Sequence, residues 1–171
     1  TMLTLPGKPA EIKHSLLRFD LSTIPAGAMI LNADLKVIVT SNQKEIVDEV
    51  HRMQTPWTEA GATWNDSDGA GAGDWASGTF GAGDYNAALV GKVTPLVKGA
   101  QTISAIGSVH DWVNNGALNR GFVLLSTGTQ TANAAYGTSE NGTPANQPTL
   151  TVSYNYLSPT ACGGTSNLTA V

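Results

Sequence analysis

Apolar residues recur at every second position in short runs along this chain, and that period limits the fold more than any other feature. In "ADLKVIVT" (33–40) Leu35, Val37 and Val39 share a face, and in "TLTVSYNY" (149–156) Leu150, Val152, Tyr154 and Tyr156 do. "ADLKVIVT" belongs to the run "MILNADLKVIVT" (29–40), and further runs of this kind are "TMLTLP" (1–6), "SLLRFDL" (15–21), "IVDEVHRM" (46–53), "ALVGKVTPLV" (88–97), "TISAIGS" (102–108), "GFVLLST" (121–127) and "AAYGTS" (134–139). Gly, Pro, Asn and Ser separate them, so the runs read as nine strands joined by turns. Each strand then has one dry face and one wet face. The expected fold is all-β: a two-sheet antiparallel β-sandwich, jelly-roll-like, with Leu17, Phe19, Leu35, Val37, Val39, Val123, Leu125, Leu150 and Val152 in the core. The helical candidate is "SVHDWVNNG" (108–116), where Val109, Trp112 and Val113 fall at i, i+3 and i+4. One short helix packed across an end of the sandwich is expected.

A chain of 171 residues with 41% hydrophobic content is the size of one domain with a sizeable core. Residues 1–156 read as the sandwich and 157–171 as a linker or extended C-terminal tail. Only 13% of residues are charged, about half the usual share, and the net charge is −4 without a basic cluster. Nucleic acid is therefore an unsuitable partner. No apolar run approaches eighteen residues, so membrane insertion by a helix is not expected. The chain begins with Thr1, which fits a removed leader or a segment of a longer protein. Cys162 is the single cysteine, so no internal disulfide can form. Low charge and the sequons "NDS" (65–67), "NGT" (141–143) and "NLT" (167–169) fit an extracellular or cell-surface protein.

Between Met53 and Gly91 the chain carries Glu59, Asp66, Asp68, Asp74 and Asp84 but no Lys or Arg. A long acidic loop follows from that bias. Within it "GAGDW" (71–75) and "GAGDY" (81–85) repeat ten residues apart, each ending in a carboxylate and an aromatic ring. Oxygen ligands on Gly-rich loops suit calcium, so Asp66, Asp68, Asp74 and Asp84 are candidate calcium ligands, with a solvated loop as the alternative.

The segments "LLRFDLSTIPAGAMILNADLKVIV", "VHRMQTPWTEAGATWN", "GDYNA", "VHDWVNNGALNRGFVLLS" and "SENGTPANQPTLTVSY" resemble, in order and spacing, the DNRLRE-type domains. These are extracellular β-sandwich modules, part of which are classed as carbohydrate-binding. The similarity runs from Leu16 to Tyr156. Two departures stand out: Ala105, Ile106 and Gly107 replace the Asp-hydrophobic-Thr entry to the short helix, and the strand that usually precedes the position of Thr1 is absent. The resemblance implies structural roles for Trp57, Trp64 and Trp112. By contrast, Trp75 and Tyr85 follow Gly-Ala-Gly-Asp turns that would display their rings for stacking against a polysaccharide, unless those rings merely cap the loop.

Catalytic patterns are weak. "GSVHD" (107–111) holds Ser, His and Asp, but consecutive residues point apart rather than converging as a triad must. His14, His51 and His110 have no second histidine at metal-ligand spacing. The expectation is a non-catalytic module, carbohydrate-binding or adhesive. The alternative is a structural subunit of a filament, sheath or surface layer, in which Asn167, Leu168, Thr169, Ala170 and Val171 of one copy complete a sheet edge of the next.

Overall fold

The computed structural model describes residues 2–4, 14–41, 47–71, 74–126, 134–157 and 166–170, with the two terminal strands described by their backbone pairing. In chain order the strands are β1 (Met2–Thr4), β2 (Ser15–Leu17), β3 (Met29–Ser41), β4 (Asp48–Met53), β5 (Tyr85–Val93), β6 (Gly99–Ser104), β7 (Phe122–Ser126), β8 (Ala135–Tyr136), β9 (Thr149–Tyr156) and β10 (Ser166–Ala170). The helix α1 spans Ile106–Asn114. One sheet has the order β1-β2-β7-β4-β5 and the other β10-β9-β3-β6, with β8 paired to β3. Every described pairing is antiparallel. The two-sheet sandwich follows from the alternation, and all nine expected runs contain strands.

Inward residues of the two sheets meet in one core that includes Leu17, Leu35, Val37, Val39, Val50, Phe122, Leu124, Leu150 and Val152. Phe19, just beyond β2, is only half-buried against it. Val123 and Leu125 are buried as expected but on the opposite face of the first sheet, in a second core with Leu16, Met53, Trp57, Trp75 and Phe80. That arrangement explains why "FVLL" in β7 is uninterrupted rather than alternating, since a strand covered on both faces has no wet side.

The helix α1 buries Val109, Trp112 and Val113 and packs on β3. No side chain caps its N-terminus. Instead Ala105 donates its N–H to the Ala33 carbonyl at 2.8 Å, tying the helix entry to β3, and its own carbonyl accepts from Val109 at 3.0 Å. The helix entry is thus fixed by a backbone bond to β3 without a side-chain cap for its first N–H groups. The Trp112 ring lies 4.7 Å from Phe122, tilted at 55°.

Met2–Thr4, within the expected run 1–6, pairs with β2 and forms an edge of the first sheet. At the other end Asn167, Leu168, Thr169 and Ala170 pair with Asn155, Tyr154, Ser153 and Val152 of the same chain. Residues Ser166–Ala170 therefore extend the second sheet within their own chain, and Asn167, Leu168, Thr169 and Ala170 pair there rather than with a second copy. Pairing next to an existing strand satisfies backbone groups at a smaller loop-closure cost than finding a second molecule. Val171 and Cys162 lie outside the described residues.

One buried polar pair sits at the sandwich's edge. The Tyr136 hydroxyl of β8 donates to Asp48 Oδ2. Burial pushes the Asp48 carboxyl above the usual carboxylate range, partly offset by Tyr136 and Ser126, while burial and the Asp48 partner push the Tyr136 phenol up. A carboxyl raised in the folded state binds its proton more tightly there than in the unfolded chain. The stability it contributes is complete below the ordinary carboxylate range and fades as pH rises through the raised value.

Candidate functional site

The long segment after β4 folds back over the outer face of the first sheet and closes the second core. Trp57 and Trp75 are each 2% exposed, so both indoles are loop anchors. Trp57 Nε1 donates to the Arg120 carbonyl at 2.7 Å, and the Arg18 guanidinium lies 5.1 Å from the Trp57 ring centroid. Trp75 Nε1 donates to the Thr63 carbonyl at 3.0 Å, and Phe80 meets the ring edge-on at 5.2 Å. The Trp75 ring is buried rather than displayed, which corrects the expectation of a stacking face there. Tyr85 is half-buried, stacked on Phe80 at 6.0 Å and tilted against His51 at 5.1 Å. Trp64 is half-buried too, between His14 and Phe80. These rings hold the loop.

Asp84 also turns inward. Its carboxylate is fully buried; Oδ1 accepts from the Thr55 hydroxyl at 2.7 Å and the Ala76 N–H at 2.8 Å, and Oδ2 accepts from the Gly81 N–H at 2.9 Å. Its carbonyl accepts from Gln54 and Thr55. Three donors occupy the carboxylate, so Asp84 is a clasp between the two ends of the loop and stands apart from the other three acids.

Asp66, Asp68 and Asp74 do come together, with one carboxylate oxygen from each within 4.8 Å of the others. That spacing suits ligands about 2.3–2.6 Å from one calcium ion. Hydrogen bonding with Asp68, then burial and the charges of Asp68 and Asp66, push the Asp74 carboxyl up. Asp66 goes the other way, held low by the N–H groups of Gly69, Asp68 and Gly71. Gly61 shapes this turn, because a Cβ there would meet the Asp68 carbonyl oxygen at 1.9 Å. The donor set is oxygen-only, which fits calcium better than a softer metal.

Along α1, Asp111 bonds Arg52 through Oδ2 and lies 3.6 Å from His110 Nδ1 through Oδ1, but His110 is exposed while Ser108 is buried. "GSVHD" does not converge.

A cleft of about 270 Å³ opens beside the loop, lined by Arg52, Met53, Gln54, Asn86, Leu118 and Arg120. The C-terminal end of β4, the start of β5 and the segment leading into β7 bring these residues together. Asp111 Oδ2 lies 2.7 Å from the Arg52 guanidinium, and Arg52 holds the Asp111 carboxyl below the usual carboxylate range. Arg52 also lies 6.0 Å from the Trp112 ring centroid. Arg120 has its backbone fixed by Trp57 but makes no ion pair among the described residues. Two guanidinium and two amide side chains beside the apolar Met53 and Leu118 make the cleft rich in donors. Arg52 and Arg120 stand in "VHRMQTPWTEAGATWN" and "VHDWVNNGALNRGFVLLS", but nothing in those segments marks either as a site residue, because they meet only in the folded chain.

Searches of curated proteins and of solved structures return no significant match. The family model for carbohydrate-binding module family 96 matches residues 2–154. The carbohydrate-binding class implied by the resemblance is thereby shown, although not the DNRLRE designation. With the match covering almost the whole sandwich, the chain belongs to carbohydrate-binding module family 96.

Proposed function

We propose that this module holds a polysaccharide in the cleft between Arg52 and Arg120, as a non-catalytic part of an extracellular or surface protein. The carrying observation is Arg120: its backbone is fixed by Trp57, its side chain makes no ion pair among the described residues, and it lines a cleft with Gln54 and Asn86. Such groups bond the hydroxyls of a sugar, or its carboxylate where it has one, while Leu118 covers an apolar ring face. The tail's pairing within its own chain leaves no observation in favour of a filament.

Gel retardation against xylan, mixed-linkage β-glucan and polygalacturonate tests the reading. A hydrogen bond to a charged group contributes about 1.5–3 kcal/mol. Arg120→Ala should therefore weaken retention on whichever polysaccharide the parent binds by roughly tenfold or more. Unchanged retention in the Arg52→Ala, Arg120→Ala double variant would place the sugar elsewhere.

Calcium at Asp66, Asp68 and Asp74 is the cofactor this reading includes, as a brace for the loop rather than a sugar ligand. At a calcium concentration about a hundredfold above Kd, binding stabilises by about 2.7 kcal/mol. For a chain of this size that corresponds to roughly 5–11 °C in Tm. The gain should vanish with EDTA and in Asp74→Asn; a Tm indifferent to both calcium and EDTA argues against the ion.

A further inference from the structure

The two arginines of the cleft are held in unequal ways. Arg120 makes no ion pair among the described residues, whereas Arg52 is engaged by two neighbouring residues of α1. Asp111 Oδ2 accepts from Arg52 Nη1 at 2.7 Å, and the Trp112 ring centroid lies 6.0 Å from the guanidinium carbon. Strand geometry brings them together. Alternate residues of β4 share a face and Val50 lies in the first core, so Arg52 is the last inward position of the strand, beside the indole that α1 contributes to the same core.

Neither the helix nor the fold gains much from Asp111. It stands in the last turn of Ile106–Asn114, where a negative charge opposes the helix dipole, and Asp is a poorer helix former than Ala. The pair with Arg52 is open to solvent, with 28% of the arginine side chain and 47% of the aspartate exposed, so it adds little to stability. Its effect falls on Arg52. A long arginine side chain loses rotamer freedom when a ligand fixes it, and a partner already in place lowers that cost. Asp111 takes one Nη of the fork and leaves the other N–H donors for a ligand. None of the lining residues is acidic, so Asp111 is also the carboxylate that offsets one of the two guanidinium charges.

We propose that Asp111 is a positioning and specificity-determining residue of this cleft: it aims Arg52 at the polysaccharide and, by offsetting that charge, tunes the cleft between neutral and acidic polymers. This role rests on the polysaccharide reading of the cleft and deepens it. Asp111 acts through Arg52 and need not touch the sugar.

Gel retardation of Asp111→Asn and Asp111→Ala on xylan, mixed-linkage β-glucan and polygalacturonate, at about 10 mM and about 1 M salt, separates aim from charge. Asn keeps a carbonyl oxygen to accept from Arg52 and loses the charge, while Ala loses both. On every polymer that retains the parent, Asp111→Ala should be held roughly three- to tenfold more weakly than Asp111→Asn. On polygalacturonate at low salt Asp111→Asn should exceed the parent several-fold, and the gain should disappear at high salt. Both variants should melt within about 4 °C of the parent, which separates these effects from unfolding. Equal retention of the Asn and Ala variants overturns the positioning role, and an Asn variant without the low-salt gain overturns the charge role. Should none of the three polymers retain the parent, the low-salt gain on polygalacturonate decides. The cleft itself fails if the Arg52→Ala, Arg120→Ala double variant is retained like the parent; loss in the double variant, with both Asp111 variants behaving as the parent does, defeats the role of Asp111 alone.

Discussion

Replacing Asp84 by Ala is expected to lower the melting temperature by roughly 6–20 °C. The carboxylate is fully buried and answers the Thr55 hydroxyl and the N–H groups of Ala76 and Gly81. Removing it leaves three donors unsatisfied under the loop, and losses of that kind amount to about 3–5 kcal/mol. In a protein of 150–250 residues each kcal/mol lowers Tm by about 2–4 °C. Asp84→Asn should fall between the parent and Asp84→Ala: its Oδ1 still accepts from Thr55 and Ala76, while its amide nitrogen faces the Gly81 N–H donor to donor. Asp68→Ala, on an exposed acid, should cost less than about 1 kcal/mol without calcium. Thermal unfolding monitored by tryptophan fluorescence checks the series, and an Asp84→Ala protein melting within about 2 °C of the parent would show that the loop is closed by its rings alone.

The comparison of Asp84 with Asp66, Asp68 and Asp74 also shows what could be read before the fold was known. Composition put all four acids on one loop, and three of them do gather; nothing in "GAGDY" told that its Asp would turn inward while the Asp of "GAGDW" stayed out. Strand periodicity was legible because one buried face writes a period of two into the sequence, as in "ADLKVIVT". The uninterrupted "FVLL" of β7 was legible as a strand yet ambiguous as to its cover, since either a sheet or a folded loop can dry its second face. Displayed and buried tryptophans look identical in one dimension. Trp75 is hidden by Phe80 and by its bond to Thr63, contacts that exist only after the loop closes. The Arg52–Arg120 cleft was invisible for the same reason, since its residues meet only through the pairing of β4 with β5 and β7. The tail was read as a linker from its Pro and Gly content, and its last residues pair because β9 offers a free edge beside them.

Trp57 should be the aromatic residue on which stability and sugar binding depend together. Truncating a buried Trp to Ala costs about 3–5 kcal/mol, and Trp57, at 2% exposure, spans from the second core to the Arg120 carbonyl. Trp57→Ala is therefore expected to lower Tm by roughly 6–20 °C. Trp64→Ala should cost less, because that ring is half-buried and its contacts are with His14 and Phe80 at the loop's rim. The informative variant is Trp57→Phe, which keeps much of the apolar ring but removes the N–H that holds Arg120 in place at 2.7 Å. Losing one neutral hydrogen bond costs about 0.5–1.5 kcal/mol plus the unsatisfied carbonyl, so the fold should survive with a modest fall in Tm. Polysaccharide retention should fall further than that loss of stability accounts for, several-fold at a temperature where the variant is fully folded, because the guanidinium of Arg120 depends on its backbone for aim. Retention equal to the parent's in a folded Trp57→Phe protein would show that Arg120 keeps its place without the indole, and that Trp57 serves the loop only.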